Sequence, residues 1–530
     1  MKQHKTKWIV IQTLTGIYFK WSSGHIHPAA VAAMILVLAL SLLCGISQKQ
    51  ATFALAILKF IIDSLSDGRD MSISHRRSLD DLPNDYRTLL NRFDLEPRLR
   101  SYICCPSCFA LYDDSPNAQD VCSHRCAVDL PSCGSNLFRS RAVKGQVFKR
   151  PIRKYVHQDM KQWVARLLSR PDVEIRIESA RNAPQSAEIR DIHDSSAIQS
   201  LHGPDGKPFF VSNTDELRLI FSLCVDGFNA FGMKIGGGPG SVTGIYMACL
   251  SLPIEDRFKP ENMYLVGVVP GPHKPSEDEI NHFLRPLVDD LLDFWKEGVR
   301  YSQTHLYPAG RLVRAALIPL VCDVLGARQT GGFTAHSTTL FCSLCYLPAD
   351  QIENFNVQTW PLRTAEMHRR HANAWKDAKT LTEKSEITKN FGVRYSELLR
   401  LPYWDPISFT IVESMHAFFL RILPEHIRRA WGVSAKAPCG DGHCAPDFTP
   451  PEPPSDEQVI ASLKALQRTQ ECNSEEALGL LRKLKANVLW HLCRQFNLRR
   501  AGSSLILSRT LLDWVASFVL YILAADIVLV

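Results

Sequence analysis

The chain has 530 residues, more than one hydrophobic core usually organises, so we expect roughly two to four structural units. A hydrophobic content of 45% excludes a largely disordered protein. The formal net charge of +7 permits a nucleic-acid partner, but it identifies one only where the charge is clustered. The 16 cysteines include Cys-x-x-Cys pairs with histidines nearby, a spacing that favours zinc in a reducing compartment, so we expect an intracellular protein.

Residues 1–99 are expected to be helical, with a polar break at 67–84. Within this region, residues 29–46 are uncharged and apolar over about the minimum length for a bilayer span, and Lys2, Lys5 and Lys7 precede them. One interpretation is a membrane anchor. The other, which we favour, is a packed pair of helices, because an amphipathic stretch at 51–65 follows without a charged stop.

A cysteine-rich segment spans residues 100–138. Cys105-x-x-Cys108, Cys122 and Cys133 have the spacing of a four-thiolate zinc site. Two further potential ligands, His124 and Cys126, are alternatives. A structural zinc would stabilise this loop-rich segment, which has too few apolar residues for a core of its own.

Residues 139–212 form a basic connector that we expect to be helical. Its first part contains many cations and the single acid Asp159. The cations are Arg139, Arg141, Lys144, Lys149, Arg150, Arg153, Lys154, Lys161, Arg166 and Arg170. Two interpretations remain open: a surface that contacts DNA phosphates through Arg150, Arg153, Lys154 and Lys161, or a solvated helix face.

Residues 213–432 have an α/β pattern. The apolar run at 217–225 leads directly into Asp226, and two further strands are indicated at 244–252 and 263–269. An acidic amphipathic helix is indicated at 276–295. A fourth strand at 311–321 is followed by a second carboxylate, Asp323.

This order of three strands, a helix and a fourth strand matches the RNase H-like fold of polynucleotidyl transferases, a mixed sheet with flanking helices. In that fold the ends of the first and fourth strands lie side by side, so Asp226 and Asp323 could together hold Mg²⁺ or Mn²⁺. Glu413, which follows a short strand at 409–412 and opens a helix, is the candidate third acid, and Asp405 is the competitor. For any one of these acids alone, a capping or turn role is the alternative.

A second Cys-x-x-Cys pair lies in an insertion at about residues 333–400. Cys342 and Cys345 could bind zinc together with His368 and His371, which lie on one face of a helix. His336 is also near in sequence. The alternative is that both helical histidines are solvated among neighbouring arginines.

The remaining sequence divides into three parts. Residues 433–457 are rich in Pro, which is typical of a linker. Residues 458–514 look like a SAP-type helical DNA-binding module with Leu489, Leu492 and Cys493 in a small core, although a plain helical hairpin fits as well. The apolar tail at 515–530 is either a buried helix or a membrane anchor.

Several motifs in unbroken order resemble the CACTA-type transposases and, more generally, the Kyakuja-Dileera-Zisupton group. They are YICCPSCF at 102–109, VDGFNAFG at 225–232, GFTAHS at 332–337 before the second Cys-x-x-Cys, LPYWDP at 401–406 and Met415-His416. The resemblance implies an RNase H-like catalytic domain with an inserted zinc-type loop, in which Asp226 and Asp323 match the first two catalytic acids. Similar proteins often have Asp where this chain has Glu413.

The resemblance implies a nuclear enzyme that cuts and joins double-stranded DNA at the ends of a mobile element, acting as a homo-oligomer on DNA and using Mg²⁺ (or Mn²⁺) and Zn²⁺. One alternative is a transposase-derived protein that binds DNA without cutting it. The other is a zinc-knuckle protein anchored in a membrane through residues 29–46 or 515–530.

Overall fold

The structure, a computed structural model, describes residues 26–64, 73–143, 146–181, 188–210, 216–229, 241–431, 451–469, 472–496, 498, 503–513 and 515. The chain divides into two compact units, residues 1–420 and 421–530. Residues 1–25, most of the predicted linker and nearly all of the apolar tail lie outside the described residues. The first unit is of the α/β type, as expected.

In the described residues, the N-terminal region contains four helices. They are α1 (Pro28–Leu42), α2 (Gln48–Ser64), α3 (Ile73–Asp81) and α4 (Tyr86–Arg92). Of these, α1, α2 and α4 share a core with Leu82. The first two helices pack together through Met34, Val37 and Leu55, which are almost fully buried, so the predicted helical pair is confirmed. Within the described residues, no helix is both long enough and apolar enough to cross a membrane.

A large mixed sheet forms the centre of the first unit. Its strands are β1 (Leu99–Cys104), β2 (Leu111–Asp113), β5 (Lys154–Gln158), β6 (Glu216–Asn229), β7 (Ser241–Cys249), β8 (Met263–Val269), β9 (Val299–Tyr301), β10 (Arg311–Cys322) and β11 (Thr410–Val412). The other two strands, β3 (Phe138–Val143) and β4 (Gln146–Pro151), form a separate two-stranded hairpin. The order across the sheet is β11-β10-β6-β7-β8-β5-β1-β2, and β9 pairs with β10. Strands β6, β7 and β8 form an antiparallel meander, and β10 and β11 run parallel to β6.

Helices cover the sheet and connect its strands. They are α5 (Met160–Ser169), α6 (Val173–Arg181), α7 (Ser196–Gln199), α8 (Ile254–Arg257), α9 (Ile280–Lys296), α10 (Val324–Gly331), α11 (Ala365–Asp377) and α12 (Leu381–Phe391), with short 3₁₀ turns at Ile192–Asp194, Pro260–Asn262, Ala349–Gln351, Val357–Thr359 and Glu397–Arg400. The longest of them, α9, buries Phe283, Leu287, Leu291 and Phe294, which recur at helical spacing on one face. This face therefore anchors α9 against the sheet core.

Two expected divisions differ in the structure. The start of the basic connector, predicted to be helical, forms the hairpin and β5. In β5, buried Tyr155 and His157 alternate with exposed side chains, a two-residue period that a strand can bury and a helix cannot. The cysteine-rich segment also contributes β1 and β2 to the large sheet, so it is not a separate unit.

The second unit is helical in its described part. A short π-helix (Met415–Ile422) begins in the first unit and ends at the start of the second, where α13 (Leu423–Arg429) follows it. The next helices are α14 (Asp456–Arg468), α15 (Ser474–Arg482) and α16 (Ala486–Gln495). Residues 504–513 are also helical. Leu489, Leu492 and Cys493 are buried in a small core, as predicted. The end of the linker, at 451–457, is described and leads into α14.

Candidate active site and metal centres

A bulge in β10 sets the level of the two aspartates. Leu317 pairs with Phe221, but Leu320 pairs with Leu223, so β10 contains one extra residue near Pro319. Continuing this register places Asp323 level with Asp226 on the neighbouring strand. Without the extra residue, Asp323 would be level with Gly227. Its side chain would then point to the opposite face of the sheet from that of Asp226.

Two aromatic side chains satisfy the backbone at this bulge. The amide of Leu317 donates to the Tyr403 hydroxyl at 2.9 Å, and the indole of Trp404 donates to the Ile318 carbonyl at 3.1 Å. Trp404 is fully buried. The LPYWDP segment therefore stabilises an irregular strand from which Asp323 extends.

Glu413 comes to the same edge of the sheet. Cys322 pairs with Val412 in the parallel ladder, and the amide of Glu413 donates to the Cys322 carbonyl at 2.8 Å. Glu413 is thus level with Asp323. Three acids consequently follow one another across β6, β10 and β11.

These acids line one cavity of about 330 Å³. Other lining residues include Cys224, Cys322, Tyr246, Met415 and His416. A hydrogen bond between Cys224 and Cys322 lowers the pKa of Cys224 and raises that of Cys322. The sequence offers no signal for Cys224, Tyr246 or Cys322, because nothing in their spacing distinguishes them from core residues of a strand.

The three acids differ in their local environment. Asp226 lies inside β6 rather than at its end, because the strand continues to Asn229, and it is exposed. Asp323 caps α10 by accepting from the Gly326 amide at 2.6 Å. Glu413 accepts from the amides of Met415 and His416 and from the His416 ring. Burial opposes ionisation of Glu413, but these donors outweigh it and lower its pKa.

The competitor Asp405 has a different position. It is not among the residues that line the cavity. Its carboxylate accepts from the amides of Ile407 and Ser408 and from the Ser408 hydroxyl, at 2.8 to 3.2 Å. Asp405 therefore stabilises the turn that leads into β11.

The first cysteine site is assembled in the structure. The Sγ atoms of Cys105, Cys108, Cys122 and Cys133 all lie within 4.8 Å of one another. The Sγ–Sγ distance is 3.8 Å between Cys105 and Cys133 and 3.4 Å between Cys108 and Cys122. A tetrahedral zinc with bonds of about 2.3 Å separates its sulfurs by about 3.8 Å, so this cluster has room for one zinc ion.

The environment of the cluster fits a structural site. Burial raises the pKa of Cys105 and Cys108. Burial also opposes ionisation of Cys133, but the Ser135 hydroxyl and amide lower its pKa to about 7. A bound cation would favour the thiolate form of all four residues. The expectation that this segment has no core of its own is wrong, because the cysteines pack with Ile103, Ala110 and Leu137 in a small buried cluster.

The two alternative ligands of this site lie outside the cluster. Cys126 is exposed, and its carbonyl accepts from the Lys384 ammonium at 2.8 Å. The ring of His124 packs against His282 of α9, with centroids 4.7 Å apart. The loop that carries them therefore docks on α9 and α12.

The second predicted quartet is not assembled. Among the described residues, no three of the donors of Cys342, Cys345, His368 and His371 lie within 4.8 Å of one another. His368 is fully buried, neither of its ring nitrogens has a hydrogen-bond partner, and burial lowers its pKa to about 3. His368 is therefore not a solvated helix residue, whereas His371 is partly exposed and its ring stacks on Phe391 with centroids 3.7 Å apart.

Three of the four predicted DNA contacts are engaged within the protein. Lys154 pairs with Asp114 at 2.6 Å, and Lys161 pairs with Asp293 at 2.7 Å. The Arg153 guanidinium lies over the Phe109 ring, 4.7 Å from its centroid. Arg150, on β4, is exposed. Counting charges along the sequence cannot show this, because the partners Asp114, Asp293 and Phe109 are brought close only by folding.

Part of the chain matches a known protein family. Residues 187–385 match the model of the transposase family tnp2. The match runs from before α7 into the start of α12 and includes Asp226 and Asp323, but it begins after the cysteine cluster and ends before Glu413. It supports a transposase family and an enzyme that acts on nucleic acid. No curated protein matches the chain.

Proposed function

We propose that this chain is a cut-and-paste DNA transposase of the CACTA type, with an RNase H-like core that cleaves and joins DNA at the ends of a mobile element. One observation carries the proposal. Asp226, Asp323 and Glu413 are level across three adjacent parallel strands and line one cavity, and the family match covers the first two. The strand order β8-β7-β6-β10-β11 supports the RNase H-like assignment.

The donor chemistry of the three acids fits Mg²⁺, or Mn²⁺ in its place, because carboxylate oxygens are the ligands these hard cations prefer. The acids do not form a group within 4.8 Å, but a pair of ions about 4 Å apart needs ligands spread around both. When bound, such ions would activate the attacking oxygen and stabilise the leaving one.

The protein itself positions these carboxylates and keeps Glu413 ionised. The Gly326 amide fixes one oxygen of Asp323 and leaves the other available. The Met415 and His416 amides keep Glu413 ionised. Asp226, exposed on β6, presents its carboxylate to incoming DNA.

Zinc is proposed in a structural role. Cys105, Cys108, Cys122 and Cys133 would hold one ion. We also propose a second zinc ion at Cys342, Cys345, His368 and His371. The observation that supports it is the buried His368 ring, whose two nitrogens have no hydrogen-bond partner. Such a site would require these donors to approach one another when the metal binds. Zinc content tests it: wild-type protein should hold two equivalents and His368→Ala one, whereas one equivalent in both contradicts the second site.

We place the protein in the nucleus, acting on double-stranded DNA as a homo-oligomer. Cleavage of a terminal-repeat substrate in Mg²⁺ tests the proposal. Asp226→Asn keeps the side-chain shape but removes the charge, so nicking should fall by about 10³-fold, or roughly 4 kcal/mol of transition-state stabilisation, while DNA binding is retained. Asp405→Asn is the matched control and should cleave nearly as wild type.

Cleavage at the wild-type rate by Asp226→Asn would overturn the catalytic assignment. The chain would then be better described as a transposase-derived protein that binds DNA without cutting it.

A further inference from the structure

The β3–β4 hairpin has two chemically different faces. Residues directly opposite each other in an antiparallel pair share a face. Arg139 pairs with Arg150 and Arg141 with Phe148, so these four side chains share one face, here called the arginine face. Phe138 and Lys149 belong to the other face.

The second face is occupied by the protein itself. Phe138 packs against the core of the cysteine cluster, and Lys149 pairs with Asp120 at 2.7 Å. Backbone hydrogen bonds from Ile152 to Leu137 and from Leu137 to Asp120 close the base of the hairpin on the same segment. The hairpin is therefore held by the cysteine segment on this side.

The arginine face has no such partner among the residues that the structure describes. All three arginines are exposed, and none has an ion pair with an acid anywhere in the described part of the chain. Phe148 on the same face is 54% exposed. Two arginines directly opposite each other repel, which disfavours this pairing unless an anion lies between or beside them.

The shape of the hairpin also favours one kind of partner. A two-stranded ribbon, whose strands lie about 4.8 Å apart, fits the major groove of duplex DNA, which is about 12 Å wide. Guanidinium groups bind phosphates and guanine edges in a bidentate way, and an apolar ring can contact a thymine methyl group. An acidic protein surface would use the arginines but gives no role to the exposed ring.

We propose that the arginine face of the β3–β4 hairpin binds duplex DNA, with Arg139, Arg141 and Arg150 on phosphates and base edges and Phe148 against the bases. This inference rests on the proposed function, because it names a surface that would hold the same DNA. The proposed surface uses Arg139, Arg141 and Arg150, which have no ion pair with the described residues, in place of Arg153, Lys154 and Lys161.

Binding of the full-length protein to a short fluorescent duplex of arbitrary sequence, measured by anisotropy over a range of salt concentrations, tests the proposal. One variant combines Arg139→Gln, Arg141→Gln and Arg150→Gln. The matched control combines Lys149→Gln, Lys154→Gln and Lys161→Gln, which removes the same charge from positions that are paired within the protein. Zinc content and circular dichroism check that both variants are folded.

The arginine variant should bind about 100-fold more weakly, and the slope of log affinity against log salt should fall by about 0.9 for each phosphate that is no longer neutralised. The lysine variant should bind nearly as wild type. Phe148→Ala should weaken binding with little change in the salt slope. Equally weakened binding by the two triple variants would overturn the proposal, since it would show an effect of net charge alone.

Two further outcomes separate this inference from the proposed function. If Asp226→Asn abolishes cleavage but the arginine variant binds DNA as wild type, the hairpin assignment is wrong and the transposase assignment stands. If duplex binding depends on the arginine face but wild-type protein never cleaves, the hairpin assignment stands and the transposase assignment is wrong. Wild-type binding to polyglutamate but not to duplex would assign the surface to an acidic protein and overturn the inference.

Discussion

The cysteine cluster and the acidic cavity are both candidate metal centres, but the chain forms them differently. The cysteine cluster gathers four soft ligands from loops onto a small core, with all donor atoms within 4.8 Å. The acidic cavity places three hard ligands at the edge of a rigid sheet, where they line an open space. Asp323 and Glu413 keep separate hydrogen-bond partners there.

This difference matches two kinds of metal function. A closed set of four thiolates leaves no position for substrate and contributes folding energy. An open set of carboxylates leaves positions for water and substrate oxygens, which chemistry at a phosphodiester requires. The comparison predicts that damage to the first centre destabilises the protein, whereas damage to the second changes its activity.

The largest effect on stability is expected at the cysteine cluster. Cys105→Ser should release one zinc equivalent and destabilise β1, β2 and the hairpin by several kcal/mol, roughly 3 or more, because metal binding and folding of this segment are coupled. Elemental analysis and thermal unfolding measure both effects. Cys126→Ser, at an exposed cysteine outside the cluster, should change neither. Equal zinc content in wild type and Cys105→Ser would contradict the assignment.

A smaller effect is expected at the bulge beside the acidic cavity. Tyr403→Phe removes the hydroxyl that accepts from the Leu317 amide and leaves that buried N–H unpaired, at a cost of about 1–3 kcal/mol. Because the bulge sets the level of Asp323, cleavage should decrease as well, while zinc content stays constant. Unfolding and nicking assays on the same preparation test this. Lower stability with unchanged cleavage would mean that the bulge does not position Asp323.

The regular part of the sheet is predictable from the sequence. The expected strands at 217–225, 244–252, 263–269 and 311–321 correspond to β6, β7, β8 and β10, because each is a continuous apolar run long enough to be buried. The candidate acids can be located for the same reason. Their exact level is not predictable, since it depends on one extra residue near Pro319 and on contacts with Tyr403 and Trp404 far along the chain.

The basic segment shows where sequence reasoning fails. A count of charges between residues 139 and 170 carries no information on Asp114 and Asp293, which pair with Lys154 and Lys161 only in the folded chain. The same count cannot distinguish the two faces of the hairpin, because the sequence leads us to expect a helix there. Pairing across the hairpin, rather than local composition, determines which arginines share the arginine face.

A pH effect of about 1 kcal/mol is expected where the cysteine segment docks on α9. Burial, the neighbouring His124 and Arg285 lower the pKa of His282 from 6.5 to about 3. Since its folded pKa lies below the unfolded one, the stability from neutral His282 is complete above pH 6.5 and is lost as pH falls towards 3. Urea unfolding at roughly pH 8 and pH 5.5 should therefore show a loss of about 1 kcal/mol that is absent in His282→Gln. The same loss in both proteins would contradict the burial of this ring.

The central claim is that Asp226, Asp323 and Glu413 form a site for divalent cations. Titration of the zinc-loaded, full-length protein with Mn²⁺, followed by the EPR signal of the free ion, tests this without any DNA substrate. We expect saturable binding by wild type and by Asp405→Asn, and affinity lower by at least about tenfold in Asp226→Asn, Asp323→Asn and Glu413→Gln. Equal Mn²⁺ affinity in wild type, Asp405→Asn and all three variants would contradict the claim.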